Sequence, residues 1–271
     1  MKVFVFIALT VATTCAFDLR RSAELKQRNI VAPAIGIEGR ITNGQDAAPG
    51  QFPYQVALFC KAEKPLHFCG GSIISPTYIL TAAHCTAGVL SIDAYLGSTK
   101  RTSPELIHHI PKDQIYTHPK YIPATVSNDI ALLKMPHTAF TKTIQAIKLP
   151  ARSTSYSTYT GDEAITSGWG RTSDSSGVSD DLKYASFEII SNTECRSDFD
   201  ILVTSKKICT STPNAVSACQ GDSGGPLALA STGTQVGIVS FGSNKGCTKE
   251  IAVVYTRVTS YLDWIDSIIN N

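Results

Sequence analysis

The chain has 271 residues, 43% hydrophobic and 17% charged, with 24 Lys+Arg against 22 Asp+Glu. A charged fraction below the roughly 25% of an average soluble protein excludes disorder driven by charge and low hydropathy, and a formal net charge of +2 leaves no electrostatic footprint for nucleic acid or an acidic membrane. Eight cysteines, none in a Cys-x-x-Cys pair, point away from a reducing compartment and towards an oxidising one.

Met1 and Lys2 open the chain, an apolar run follows from Val3 to Ala12, and Thr14-Cys15-Ala16 places small residues at a cleavage position. The run falls short of the roughly 20 apolar residues of a membrane span. Residues 1–16 are therefore expected to be a signal peptide, and the mature protein to be secreted, extracellular and free of membrane. No Asn-x-Ser/Thr acceptor occurs, so no N-glycosylation is expected. Residues 17–40 carry Arg20, Arg21, Lys26, Arg28 and Arg40 among few aromatics, and read as a separate leader. From Ile41 onward, short β-type runs recur at Gln55–Phe59, Gly71–Leu80, Asp129–Lys134 and Gln235–Phe241, punctuated by Gly, Pro, Ser and Asn. Val258, Tyr261, Leu262, Ile265, Ile268 and Ile269 follow helical spacing, with Thr259 or Ser260 as the expected cap. The pattern predicts an all-β barrel or sandwich domain over 41–271 ending in one helix. Six of the basic and three of the acidic residues precede Ile41, leaving a nearly neutral domain with 18 against 19.

The chemistry begins at Gly221-Asp222-Ser223-Gly224-Gly225-Pro226. A serine hydroxyl attacks only when a base takes its proton and the new oxyanion is stabilised. Glycines on both sides allow a sharp turn that exposes the hydroxyl and aims backbone N–H groups at one point. Of six histidines, His84 alone has a distinctive setting, Thr81-Ala82-Ala83-His84-Cys85 after an apolar run. His108-His109 lacks the spacing and partners of a zinc site. Asp129, in Asn128-Asp129-Ile130-Ala131-Leu132-Leu133, heads an apolar strand where an unpartnered charge would be costly; such a carboxylate can orient the imidazole and stabilise its cation. Read locally, it is equally a turn aspartate. Chain order narrows the choice. An α/β-hydrolase elbow needs a histidine after its serine, and none follows Ser223. The subtilisin order needs an aspartate before the histidine, and only Asp46 stands in that stretch of the domain. His84, Asp129, Ser223 is the chymotrypsin order.

With those residues in place, the chain resembles the trypsin/chymotrypsin-like serine endopeptidases over nearly all of 41–271. The matching segments are Ile41-Thr42-Asn43-Gly44, Cys69-Gly70-Gly71-Ser72, Thr81 to Cys85, Asp129 to Leu132, Ser167-Gly168-Trp169-Gly170, Gly221 to Pro226 and Val254-Tyr255-Thr256-Arg257-Val258. The resemblance implies two six-stranded antiparallel β-barrels with the site between them. It implies His84 as base and then acid, Asp129 as its orienter, Ser223 as nucleophile, and the N–H groups of Gly221 and Ser223 as the oxyanion hole. It would join Cys69 to Cys85, Cys195 to Cys209 and Cys219 to Cys247, leaving Cys60 as a buried thiol or an intermolecular link.

Ile37-Glu38-Gly39-Arg40 before Ile41 is shaped for cleavage after arginine. In the family that cut frees an amine at Ile41 to pair with Asp222, so a zymogen with an activation propeptide at 17–40 is expected, activated by a separate trypsin-like protease. Ser217 matches the pocket floor, Gly242 the open neck, and Val253 a position usually held by glycine; Ser240, Phe241 and Gly242 would bind an extended peptide. A neutral floor cannot compensate a desolvated cation, so chymotrypsin-like to elastase-like cleavage after apolar or aromatic residues is expected, on protein or peptide substrates, by a monomer. Leu96-Gly97 leads to Ser98-Thr99-Lys100-Arg101 rather than to acidic residues, so no calcium, other metal or cofactor is expected. The competing readings are a catalytically silent homologue acting as a binding module and a secreted esterase or lipase.

Overall fold

The computed structural model describes residues 41, 44–62 and 67–270. The expected signal peptide, the leader and Arg40 lie outside them, as do Thr42 and Asn43.

After the two-residue strand β1 (Gln45–Asp46), seven strands form one antiparallel sheet: β2 (Gln55–Ala62), β3 (His67–Ser75), β4 (Tyr78–Thr81), β5 (Val89–Leu96), β6 (Leu106–Pro111), β7 (Ile115–Thr117) and β8 (Ala131–Lys134). Their order is β6-β5-β2-β3-β4-β8-β7. β6 and β7 are halves of one stretch bent by the 3-10 turn Lys112–Gln114, the first pairing with β5 and the second with β8. The chain itself therefore closes a ring of six segments. β6 shows the period-2 logic most clearly: His108 and Ile110 are buried while Ile107, His109 and Pro111 face solvent.

The second sheet contains β9 (Glu163–Gly168), β10 (Lys183–Ile190), β11 (Lys207–Thr210), β12 (Pro226–Leu229), β13 (Gln235–Phe241) and β14 (Val253–Arg257). β9 pairs with both β10 and β12, closing a six-stranded barrel, with β1 added along β10. Both barrels agree with the expected architecture. Val56, Leu58, Ile73, Leu80, Ile92 and Leu132 fill the first; Ile189, Ile208, Leu227, Val236 and Tyr255 fill the second. At about 25 cal/mol per Å² of apolar surface removed from water, these interiors are the main source of stability. Buried polar contacts join the barrels, among them Ser72 Oγ donating to Gln235 Oε1 at 2.7 Å and Ser167 Oγ to Gln55 Oε1 at 2.7 Å.

Three local expectations need correction. The run Gly71–Leu80 is not one strand, because Pro76 and Thr77 turn the chain between β3 and β4, and proline has no N–H for a ladder. The last helix, α3 (Leu262–Ile269), is not capped by Thr259 or Ser260: these lie in a 3-10 turn, and Tyr261 holds the cap position without a side-chain bond. Nor is it the only helix. One turn, α1, spans Ala83–Thr86, and α2 spans Asn192–Phe199, where Ser191 Oγ accepts from the Glu194 N–H at 3.1 Å. Ser191-x-x-Glu194 is the sequence signature of a capping box; weak apolar spacing in α2 obscured it.

Candidate active site

α1 follows directly on β4 and carries His84 and Cys85. Cys85 is bonded to Cys69 of β3, which ties the turn to the first barrel. The His84 ring is about a quarter exposed, whereas the Asp129 carboxylate is fully buried. A carboxylate only accepts, so the imidazole proton sits on Nδ1, which donates to Asp129 Oδ2 at 2.9 Å and leaves Nε2 as the basic nitrogen. The His84 backbone N–H donates to Oδ1 at 2.9 Å, and Ser240 Oγ donates to Oδ2 at 2.6 Å. Burial alone would push the Asp129 carboxyl up; bonds from His84, the His84 charge and the Ser240 bond outweigh it and hold the pKa below the ordinary value.

Ser223 reaches this pair from the second barrel. Its carbonyl accepts from the Gly70 N–H at 2.7 Å and lies 3.6 Å from Cys85 Sγ. Gly224 is seated against β3 and β4 so closely that a Cβ there would come within 2.2 Å of Thr81 Oγ1 and 2.6 Å of Gly70 O, and its φ is +79°. Three segments distant in sequence are thus brought to one place. No hydrogen bond joins the Ser223 hydroxyl to His84; the hydroxyl turns freely about one bond, and this contact commonly tightens only with substrate. Among the described residues, the N–H groups of Gly221 and Ser223 donate to no acceptor. Gly221 has φ +102°, and a Cβ there would lie 2.9 Å from Gly170 Cα.

Asp222, between them, is wholly buried and accepts from the Gly170 N–H at 2.8 Å and the Cys219 N–H at 2.9 Å. Gly168 and Gly170 exist to admit it: a Cβ at either would fall 2.1 Å and 2.3 Å from its carboxylate oxygens. Burial lifts its pKa to about 6, against the lowering effect of those two N–H groups. Ile41 is also fully buried, against Ala185, Phe187 and Val216.

A cavity of about 280 Å³ opens beside Ser223, and its walls include all five residues expected there: Ser217, Ser240, Phe241, Gly242 and Val253. Ile251, Gln220 and Asn244 also line it, and no lining side chain is charged. The Cys219–Cys247 disulfide braces it, and Asp174 accepts from the Cys247 N–H and the Thr248 hydroxyl, both at 2.6 Å. The other two disulfides pair as expected, and Cys60 is a free, buried thiol whose pKa burial pushes up to about 12. Of the remaining histidines, His108 bonds Thr138, His109 bonds Asp93, and His67 bonds the Cys85 carbonyl. The cluster Cys69, His84 and Cys85 offers no thiolate to a metal, since its sulfurs are joined to each other. Sequence reasoning missed two features. The Ser240 side chain supports Asp129, and Lys207 is buried behind both; only its position beside Ile208-Cys209 in a buried strand could have marked the lysine.

The trypsin family profile matches residues 41–265. Serine protease 1 of Drosophila melanogaster is 39% identical over 239 residues, covering 88% of this chain and 89% of that protein. A collagenase of Hypoderma lineatum is 37% identical over 268 residues, covering 98% and 97%. The solved structure of HL collagenase superposes with a TM-score of 0.80 at 35% identity, covering 84% of this chain and 98% of that one. The chain belongs to the trypsin family and is a serine protease with the chymotrypsin fold.

Proposed function

We propose that the protein is a secreted serine endopeptidase, made as a precursor and activated by cleavage after Arg40, that cleaves after apolar or aromatic residues through an acyl-enzyme. The observation that carries this reading is the buried Asp129 carboxylate bonded to His84 Nδ1 beside Ser223. Ser223 Oγ attacks the scissile carbonyl and its proton passes to His84 Nε2. The tetrahedral oxyanion is held by the N–H groups of Gly221 and Ser223. His84 returns the proton to the leaving amine, and water, deprotonated by the same nitrogen, releases the acid. Asp129 keeps the tautomer and stabilises the imidazolium. No cofactor or metal enters these steps.

The uncharged cavity with Ser217 in its wall supports an apolar side chain and disfavours Lys or Arg. A protease that cuts poorly after arginine cannot efficiently open its own Arg40–Ile41 bond, so a separate trypsin-like protease performs activation. The new amine at Ile41, a residue already buried, then pairs with Asp222. Secretion and a monomeric state rest on the sequence reading. The relative named collagenase makes collagen one protein substrate to assay. No observation favours a catalytically silent homologue.

Purified precursor, alone and with trypsin, tests the reading on a peptide library. Trypsin-treated protein is expected to cleave after Phe, Tyr, Leu or Met, and Ser223→Ala to abolish this. Concentration-dependent self-cleavage at Arg40, or a preference for Lys and Arg, would contradict the specificity assigned.

A further inference from the structure

Lys207 opens β11 and is almost completely buried, at 3% exposure. Its Nζ donates to the Val126 carbonyl at 2.8 Å, to Ser240 Oγ at 3.0 Å and to Thr256 Oγ1 at 3.5 Å, and lies 5.2 Å from the centre of the Phe241 ring. An ammonium donates only. The Ser240 oxygen therefore accepts from Lys207 while its hydrogen goes to Asp129 Oδ2 at 2.6 Å. The Val126 carbonyl comes from the loop leading into Asp129, where Val126 has φ +49° and Asn128 φ +52°. A β-branched residue in the left-handed region is a strained conformation that the surroundings must hold, and the lysine bond is one such hold.

We propose that Lys207 is a positioning residue for the His84–Asp129 pair: it fixes the direction of the Ser240 hydroxyl, holds the loop that delivers Asp129, and places a positive charge behind the carboxylate. The inference rests on the proposed roles of His84 and Asp129 and adds a fourth member behind them.

Lys206 points away, to Asn128 Oδ1 at 3.2 Å and over the Tyr261 ring at 5.4 Å. Arg257 Nε bonds the Lys207 carbonyl at 3.2 Å, and its Nη1 the Thr158 carbonyl at 3.2 Å. His118 meets the Tyr261 ring edge-on and the Trp264 ring at a tilt; Tyr261, pushed up to about 12 by burial and by Asp129, bonds Asn128 and is neutral across the working range. Asp129 is the carboxylate that faces Lys207, through Ser240. Burial lowers the lysine to about 8 and Asp129 opposes that fall, so the ammonium is present at neutral pH. A cation there subtracts from the negative potential that Asp129 lends a protonated imidazole, so removing it favours the protonated form of His84.

The test is the pH profile of kcat/KM for activated wild type and Lys207→Met, an uncharged side chain of similar shape. Removing the charge is expected to raise the acid limb by about one pH unit, a shift that a purely packing role would not produce. Lys207→Gln serves as the second variant should the first fail to fold, and Lys207→Arg is expected to return the limb towards wild type. In Ser223→Ala protein, NMR titration of His84 with and without Lys207→Met reads the same coupling without turnover. Folded variants whose acid limb and His84 titration stay within about 0.2 unit of the parent would overturn the proposal. Loss of all Ser223-dependent hydrolysis in the parent would instead count against the nucleophile assignment, and the His84 titration would still decide the role of Lys207.

Discussion

Asp129 has three hydrogen bonds to its carboxylate and no exposure to water, so replacing it with Asn keeps the shape and changes the chemistry. An amide can offer its N–H to His84 Nδ1, which turns the imidazole to the wrong tautomer. Asp129→Asn is expected to lower kcat by about 10⁴-fold with little change in melting temperature, as steady-state kinetics beside thermal unfolding would show. Asp222 gives a pH signature of its own. Its folded pKa of about 6 lies above the ordinary 3.8. Between about pH 4 and 6 the unfolded chain has released this proton while the folded precursor keeps it, so precursor stability falls as pH rises, by at most about 3 kcal/mol. Urea midpoints of the precursor at pH 4 and 7 should show a decline that Asp222→Asn removes; an equal decline in that variant would place the effect elsewhere. Asp129 is shifted the other way, so its contribution is present above its unfolded pKa and lost as pH falls below that value. The three residues of the proposed triad could be picked out because each lies in a motif whose chemistry constrains its neighbours. The support Ser240 gives Asp129 and the place of Lys207 behind it could not, because a serine and a lysine in β strands acquire such roles only when β11, β13 and the Asp129 loop meet.

At the scale of the element, the turn at 221–225 depends on glycine for two separate reasons, a positive φ and missing space. Gly224→Ala adds a Cβ into the Thr81 side chain at the end of β4 and the Gly70 carbonyl of β3. It is expected to destabilise the protein by about 3 kcal/mol or more and to separate Ser223 from His84. Denaturant unfolding checks the first part and residual hydrolysis the second. Ser191→Ala removes the α2 cap at a residue that does not line the cavity; about 1 kcal/mol of stability should go with kcat/KM unchanged. The strands with alternating burial or a continuous apolar run could be read from sequence, and β13 was read to its ends. The split at Pro76 was hidden by a hydrophobic run that crosses the turn. The 3-10 turn before α3 was hidden because Thr259 and Ser260 satisfy the cap pattern in composition while the backbone bends differently.

Across the whole molecule, both barrels supply the proposed site: the first provides His84 and Asp129, the second Ser223, the cavity and Lys207. Polar contacts Ser72–Gln235 and Ser167–Gln55, with the close approach at Gly70 and Gly224, fix one barrel against the other. The Cys69–Cys85 bridge closes a loop of 16 residues, and converting both cysteines to Ala is expected to cost about 3 kcal/mol and to lower kcat more than it raises KM, because the anchored turn carries His84. Two barrels could be inferred from many short strands only with the help of motif order; their mutual placement is a long-range property that no local spacing encodes. Covalent labelling of the trypsin-activated protein with an apolar organophosphonate, followed by peptide mapping, is the most direct test of the proposed catalytic centre. Modification confined to Ser223, greatly slowed in Asp129→Asn, is the expected result; labelling at another residue, or undiminished proteolysis by Ser223→Ala, would contradict it.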